Sequence, residues 1–114
     1  MNIRVITKPI TRAEALEIAQ EFYVTMVKGV ADIENRIIAL GGKWHMDANH
    51  KMMETGSSQS AVWGFNLYPK KEGEARIEYI SLINIRPALG NRDMYIEDSA
   101  IRTVIKEIVD TLVP

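Results

Sequence analysis

The amino-acid sequence predicts an α+β domain, an antiparallel-rich sheet of about five strands with an N-terminal and a C-terminal helix packed on one face. Three observations carry that prediction. The last segment repeats Ile101, Val104, Ile105, Ile108, Val109 and Leu112 at helical spacing behind a cap at Asp98 or Ser99. Thr11, followed three residues later by Glu14, is a capping-box pattern near the other end. Between them, residues 61–68 and 76–86 alternate with the period of two that strands require. At 114 residues the chain is sized for a single domain, residues 1–114. Its 46% hydrophobic and 25% charged content excludes wholesale disorder and collagen-like or coiled-coil compositions.

In chain order, Ile3, Val5 and Ile6 form a short strand ended by Pro9. A helix begins near Arg12 and runs to about Tyr23, because Ala15, Ile18, Ala19 and Phe22 make one apolar stripe with Glu14, Glu17 and Glu21 outside it. Residues 24–42 fit two periods. Leu16, Ala19, Tyr23, Met26, Val30, Ile33, Ile37 and Leu40 would continue one long helix to Gly41, which would imply helix-mediated dimerisation. The rival is a β-hairpin with many β-branched residues, Gly29 mid-run and a tight turn at Glu34-Asn35 in which Asn35 takes positive φ. The propensities favour the hairpin, and Gly41-Gly42 then marks a bulge or a close backbone approach.

Residues 48–54 predict a short helix and residues 55–60 (TGSSQS) a mobile polar loop. The strands at 61–68 and 76–86 are joined by a turn containing Pro69 and Gly73. Trp63, Phe65, Leu67, Ile77, Tyr79, Ile83 and Ile85 then share the core face of the sheet. The opposite face mixes Val62, Ile80 and Leu82 with Asn66, Glu78, Asn84 and Arg86, a composition that points to a groove or a subunit contact. Pro87 ends the strand, and an irregular loop leads to the final helix.

Composition narrows the function classes. Fourteen basic against fifteen acidic side chains give a net charge of −1, which provides no global field for nucleic acid or an anionic membrane. The absence of cysteine removes disulfides, thiolate nucleophiles and Cys-ligated metals. The first eight residues lack a leader's apolar stretch and no run approaches the roughly 18 apolar residues of a membrane span. A cytoplasmic protein is expected.

Two polar constellations stand out. If His45 and Asp47 lie on a strand they project from one face, and His50 could close a three-ligand set. A solvated strand end or a structural His–Asp hydrogen bond explains the same residues more simply, so no metal site is assigned. The second constellation is Asn84, Arg86, Asn91 and Arg92 around Pro87 and Gly90, which could hold a carboxylate or phosphate. Glu97 and Asp98 stand nearby, and a structural network in which they pair with Arg86 or Arg92 is the favoured reading. Trp44, Trp63, Tyr68 and Tyr95 read as core anchors rather than a base-stacking platform. No nucleophile elbow, phosphate loop or dinucleotide fingerprint is present.

The segments GGKWHMD, VWGFNLYP and INIRPALGNR, followed by IEDSAIR, resemble a small prokaryotic family known only as a domain of unknown function. That family's wording has Gly-Gly-x-Leu-His-Ala-Asp, Leu-Trp-Gly-x-Asn and Ile-Asn-x-Arg-Pro stretches, the last ending in Gly-Asn-Arg. The resemblance points to His45, Asp47, Trp63, Gly64, Asn66, Asn84, Arg86, Pro87, Gly90, Asn91 and Arg92. The chain departs from it at Trp44, Met46, Asp93 and Met94. It implies no activity, substrate or cofactor. The leading expectation is therefore a non-enzymatic binding or interaction module that forms a homodimer through the mixed sheet face or an edge strand. The competing one is a small-ligand or enzyme site. In it Arg86 and Arg92 hold an anionic group, Asn66, Asn84 and Asn91 orient it, and His45 with Asp47 does acid–base work.

Overall fold

The computed structural model describes residues 1–114. Its strands are β1 (Arg4–Ile6), β2 (Val27–Asp32), β3 (Ile37–Leu40), β4 (Val62–Leu67) and β5 (Ile77–Glu78); its helices are α1 (Arg12–Ala19), α2 (His45–Glu54) and α3 (Ser99–Leu112). The strands form one antiparallel sheet in the order β1-β3-β2-β4-β5. This is the predicted α+β class, with α1 and α3 on one face. Ala15, Ile18 and Ala19 of α1 and Ile105, Ile108 and Val109 of α3 join one buried cluster with Ile38, Leu40, Trp63, Phe65 and Leu67 of the sheet. The other face carries α2, whose Ala48 and Met52 pack on Val30, Ala39 and Val62. Central β2 is thus covered on both sides, and Lys28 is its one residue that is not fully buried. No helix is long and apolar enough to cross a membrane.

Helix α1 forms the expected capping box, Glu14 N–H donating to Thr11 Oγ1 at 3.0 Å and Thr11 N–H to Glu14 Oε1 at 3.2 Å. It ends at Ala19 rather than near Tyr23. Val24 takes a left-handed φ of 66° and its N–H returns to the Ala19 carbonyl, while the Gln20 amide donates to the Leu16 and Val24 carbonyls. Phe22, placed on the core stripe by spacing, is exposed as a result.

Residues 24–42 form the hairpin β2–β3, not a continued helix. Its turn is closed by buried Asp32, which accepts from the Glu34 and Asn35 N–H groups, the Asn35 side chain and Ser57 Oγ. Burial alone would raise the carboxyl's pKa, yet these hydrogen bonds hold it below the usual range. The positive φ expected at Asn35 falls instead on Arg36, at 54°, while the Asn35 side chain donates to Asp32. Gly41 makes the predicted close approach: a Cβ there would lie 2.2 Å from the Asn2 carbonyl oxygen.

Gly29 has a different constraint. A Cβ at Gly29 would lie 2.4 Å from Cζ of the buried Phe65 ring. Gly29→Ala is expected to cost about 2 kcal/mol of stability by overpacking. Urea unfolding measures it; an unchanged midpoint would mean that the ring swings aside freely.

The largest departure is at residues 76–86. Only Ile77–Glu78 pairs with β4, opposite Asn66 and Leu67. Beyond Tyr79 the chain pairs with residues 94–96, through Ser81 N–H to the Met94 carbonyl and Ile96 N–H to the Tyr79 carbonyl, and then makes 3-10 turns at Leu82–Asn84 and Pro87–Leu89. The cause is Asn84. Its side chain accepts from Gly64 N–H at 2.8 Å and donates to the Gly64 carbonyl at 3.0 Å, taking the ladder position a strand backbone would fill. Ile83 therefore packs toward the α2 face and Ile85 is exposed, whereas Trp63, Phe65, Leu67, Ile77 and Tyr79 lie on the core face as expected.

Candidate functional site

Lys28 of β2 and Asn66 of β4 are the floor of a groove of about 640 Å³ between the first turn of α2 and residues 80–94. Pairing register builds this floor. Lys28 stands opposite Asn66, and Asn66 opposite Glu78, so three polar side chains form a row across three neighbouring strands, its first two members in this groove and Glu78 lining the cleft beside α3. Lys28 Nζ lies 3.4 Å from Asn66 Oδ1, Asn66 Nδ2 donates to Glu78 Oε1 at 2.7 Å, and the Tyr68 hydroxyl donates to the same oxygen at 3.3 Å. Asn66 is buried, so its amide orientation is fixed by a cation on one side and a carboxylate on the other.

Helix α2 adds His45. Its start is set by Asp47, whose carboxylate accepts from the Lys43 and Trp44 N–H groups at 3.0 and 2.9 Å. The helix thus begins at His45, three residues before the expected 48. On a helix, residues two apart point about 160° away from each other around the axis, so His45 and Asp47 cannot share a face as they would on a strand. His45 turns inward and Nε2 meets the Phe65 carbonyl at 2.8 Å. A carbonyl only accepts, so Nε2 carries the proton and Nδ1 is the acceptor of the neutral ring. The pKa falls to about 4, chiefly through burial and secondly through Lys28, against the Phe65, Asn66 and Glu78 contributions. Burial also lowers the Lys28 pKa, and Glu78 opposes that shift.

The rim has another character. Trp44 (60% exposed), Met46 (45%), Leu82 (69%) and Met94 (41%) surround the polar row with large apolar side chains in solvent. A second cleft of about 660 Å³ lies against α3. Of its charged side chains, Lys106 Nζ is 2.5 Å from Asp110 Oδ2, Arg102 donates to the Ile96 and Glu97 carbonyls and stacks on Tyr95, and Glu78 accepts from Asn66 and Tyr68.

Of the candidate site residues read from the sequence, His45, Asp47 and Asn66 line the groove, beside Trp44, which was expected as a core anchor and is exposed. The other candidates do not. Asn84 is wholly buried and tied to Gly64 and Met94, and Asn91 donates to the Asn84, Asp93 and Tyr95 carbonyls. Arg86 lies over the Trp63 ring, Cζ 4.9 Å from its centroid. Arg92 is exposed in the loop, and His50 is exposed on α2. No three His, Asp or Glu side chains are grouped to hold a metal ion. The expected pairing of Arg86 or Arg92 with Glu97 or Asp98 is not formed. Asp98 instead caps α3 through Ala100 N–H, and Asn91 accepts from Glu97 N–H, so amides rather than ion pairs hold this loop. Sequence reasoning missed Lys28 and Glu78 as partners of Asn66. The available signal was a lone charged residue inside the otherwise apolar run Val27–Ala31.

Neither a curated protein nor a solved structure matches the chain. One family model does, over residues 4–112, nearly its whole length. The chain belongs to the family described as Protein of unknown function (DUF5674).

Proposed function

We propose that the protein is a binding module whose groove takes an amphipathic small molecule with an anionic or hydrogen-bonding head. One observation carries this reading: Lys28 and Asn66, the latter held from behind by Glu78, lie beneath a rim of exposed Trp44, Met46, Leu82 and Met94. Apolar walls with a few convergent polar groups, in a volume of roughly 300–1,000 Å³, are the features small-molecule sites share. The rim would hold the ligand's apolar body, and Lys28 would meet its head.

The dye 8-anilinonaphthalene-1-sulfonate has this chemistry and serves as the probe. Saturable one-site binding is expected, weakened roughly fivefold or more by Leu82→Glu and by Lys28→Gln, with the near-ultraviolet circular dichroism of each variant unchanged. Binding that neither substitution affects would remove the groove from consideration.

The rim also supports a second reading, a homodimer in which two grooves face each other, because Leu82 stands 69% exposed at its edge. Sedimentation velocity from about 1 to 100 μM is expected to show a dimer that Leu82→Glu dissociates. A monomer throughout that range would discard this reading and leave the ligand reading intact.

A further inference from the structure

We propose that Arg86 and Trp63 form a second binding site, separate from the groove, for a small oxyanion of which a carboxylate is the best-matched form. The argument begins with how the fold treats its two shielded guanidinium groups. Arg76 has a carbonyl and a carboxylate: one Nη donates to the Val113 carbonyl, and the other lies 3.4 Å from Asp110 Oδ1. Arg86 has neither kind of partner at its terminal nitrogens. Its Nε donates to the Ile83 carbonyl at 2.9 Å, while Nη1 and Nη2 are both shielded from solvent and reach no acceptor in the protein. The Trp63 indole N–H beneath it is likewise shielded and unpaired. No acidic side chain enters the electrostatic environment of Arg86, and none of the ion pairs includes it.

A stacked guanidinium–indole pair thus holds a positive charge and several N–H groups with no anion to receive them. The face of Trp63 stabilises the charge, but a π face accepts at most weakly from N–H bonds lying in the guanidinium plane. Shielded donors of this kind call for an acceptor, and the planar fork of arginine matches the two oxygens of a carboxylate. Access requires the turn that covers these nitrogens to move. Arg86 opens the turn that its backbone closes with Asn91, and the intervening residues 87–90 are all exposed. Asp93 and Glu97 flank Asn91 in the same loop, and neither carboxylate forms an ion pair with the guanidinium.

The test uses Trp63 as the reporter. The chain has two tryptophans, and Trp44→Phe removes the other, which is exposed. In that background sodium acetate and sodium phosphate are titrated against sodium chloride at constant ionic strength. A saturable change in Trp63 emission and a matching rise in Tm are expected, both absent in Arg86→Gln. Acetate acting more strongly than phosphate identifies the carboxylate form; the reverse order keeps the oxyanion site and overturns that preference. Arg86→Lys keeps the charge without the fork and should bind at least tenfold more weakly, a result that decides the matter even if Arg86→Gln does not fold. No oxyanion effect beyond that of chloride, or equal affinity in Arg86→Lys, would overturn the proposal.

Discussion

Asn84→Ala is expected to lower the free energy of unfolding by about 4 kcal/mol, since it strips partners from several buried groups at once and leaves a small cavity. Asn84 is fully buried, and its side chain accepts from Gly64 N–H and donates to the Gly64 and Met94 carbonyls at 2.8, 3.0 and 3.1 Å. Alanine leaves the Gly64 amide and carbonyl facing a protein interior with nothing to replace the lost bonds. Out of a total stability of about 5–15 kcal/mol for domains of this kind, the loss is a large fraction. Asn84→Asp separates shape from hydrogen bonding. It keeps the acceptor for Gly64 N–H but turns the donor into an acceptor facing two carbonyls, so its ionised form is disfavoured in the folded state. The folded pKa of the introduced carboxyl then lies above its unfolded value, and the variant loses stability as pH rises through that interval. Urea unfolding at pH 4 and pH 7 should find Asn84→Asp closer to the parent at the lower pH. A loss below about 1 kcal/mol for Asn84→Ala would show that the residue is not the anchor of this edge.

The same residue explains what could be read from the sequence and what could not. Helix α3 was legible because its apolar stripe and its Asp98 cap are local, and no distant contact needs to be known. The β2–β3 hairpin was legible because β-branched residues and a turn-forming Glu34-Asn35 agree about it. Residues 76–86 alternate like a strand, but a period of two reports only which side chains are apolar. It cannot show that one asparagine side chain substitutes for backbone opposite Gly64. His45 and Asp47 would share one face only on a strand, and they lie in a helix. The helix start there depends on Asp47 reaching back to two amides. The polar row that supplies the groove floor depends on register: Lys28 and Asn66 are 38 positions apart and Asn66 and its partner Glu78 are 12 apart, and only strand pairing aligns them. Charge sign likewise shows which residues could pair, as with Arg86 and Glu97, but the amides of Asn84 and Asn91 settle how that loop is held.

His45 gives the second large effect, and it is readable as a dependence of stability on pH. In the unfolded chain the imidazole titrates near 6.5, while in the folded protein burial first and the Lys28 cation second lower its pKa to about 4. Its position at the start of α2, the positive end of the helix dipole, disfavours the imidazolium in the same sense. Above pH 6.5 both states hold the neutral ring, and the contribution to stability is fully present. As pH falls from about 6.5 to about 4 the unfolded state takes up a proton that the folded state refuses, so stability declines across this window; below about 4 both states are protonated and the decline ends. At about 1.36 kcal/mol per pH unit, the loss between neutral pH and pH 4 is about 3 kcal/mol. The parent chain alone would mix this with the carboxylates, among them Asp32 and Glu14, whose lowered pKa values make them lose stability in acid as well. His45→Gln keeps a donor for the Phe65 carbonyl and removes the titration, so the difference in unfolding free energy between parent and variant isolates the imidazole. That difference should shrink or change sign by about 3 kcal/mol between pH 7 and pH 4, with most of the change above pH 4.5. A constant difference would mean that the ring is protonated in place and that the groove floor admits a second cation beside Lys28.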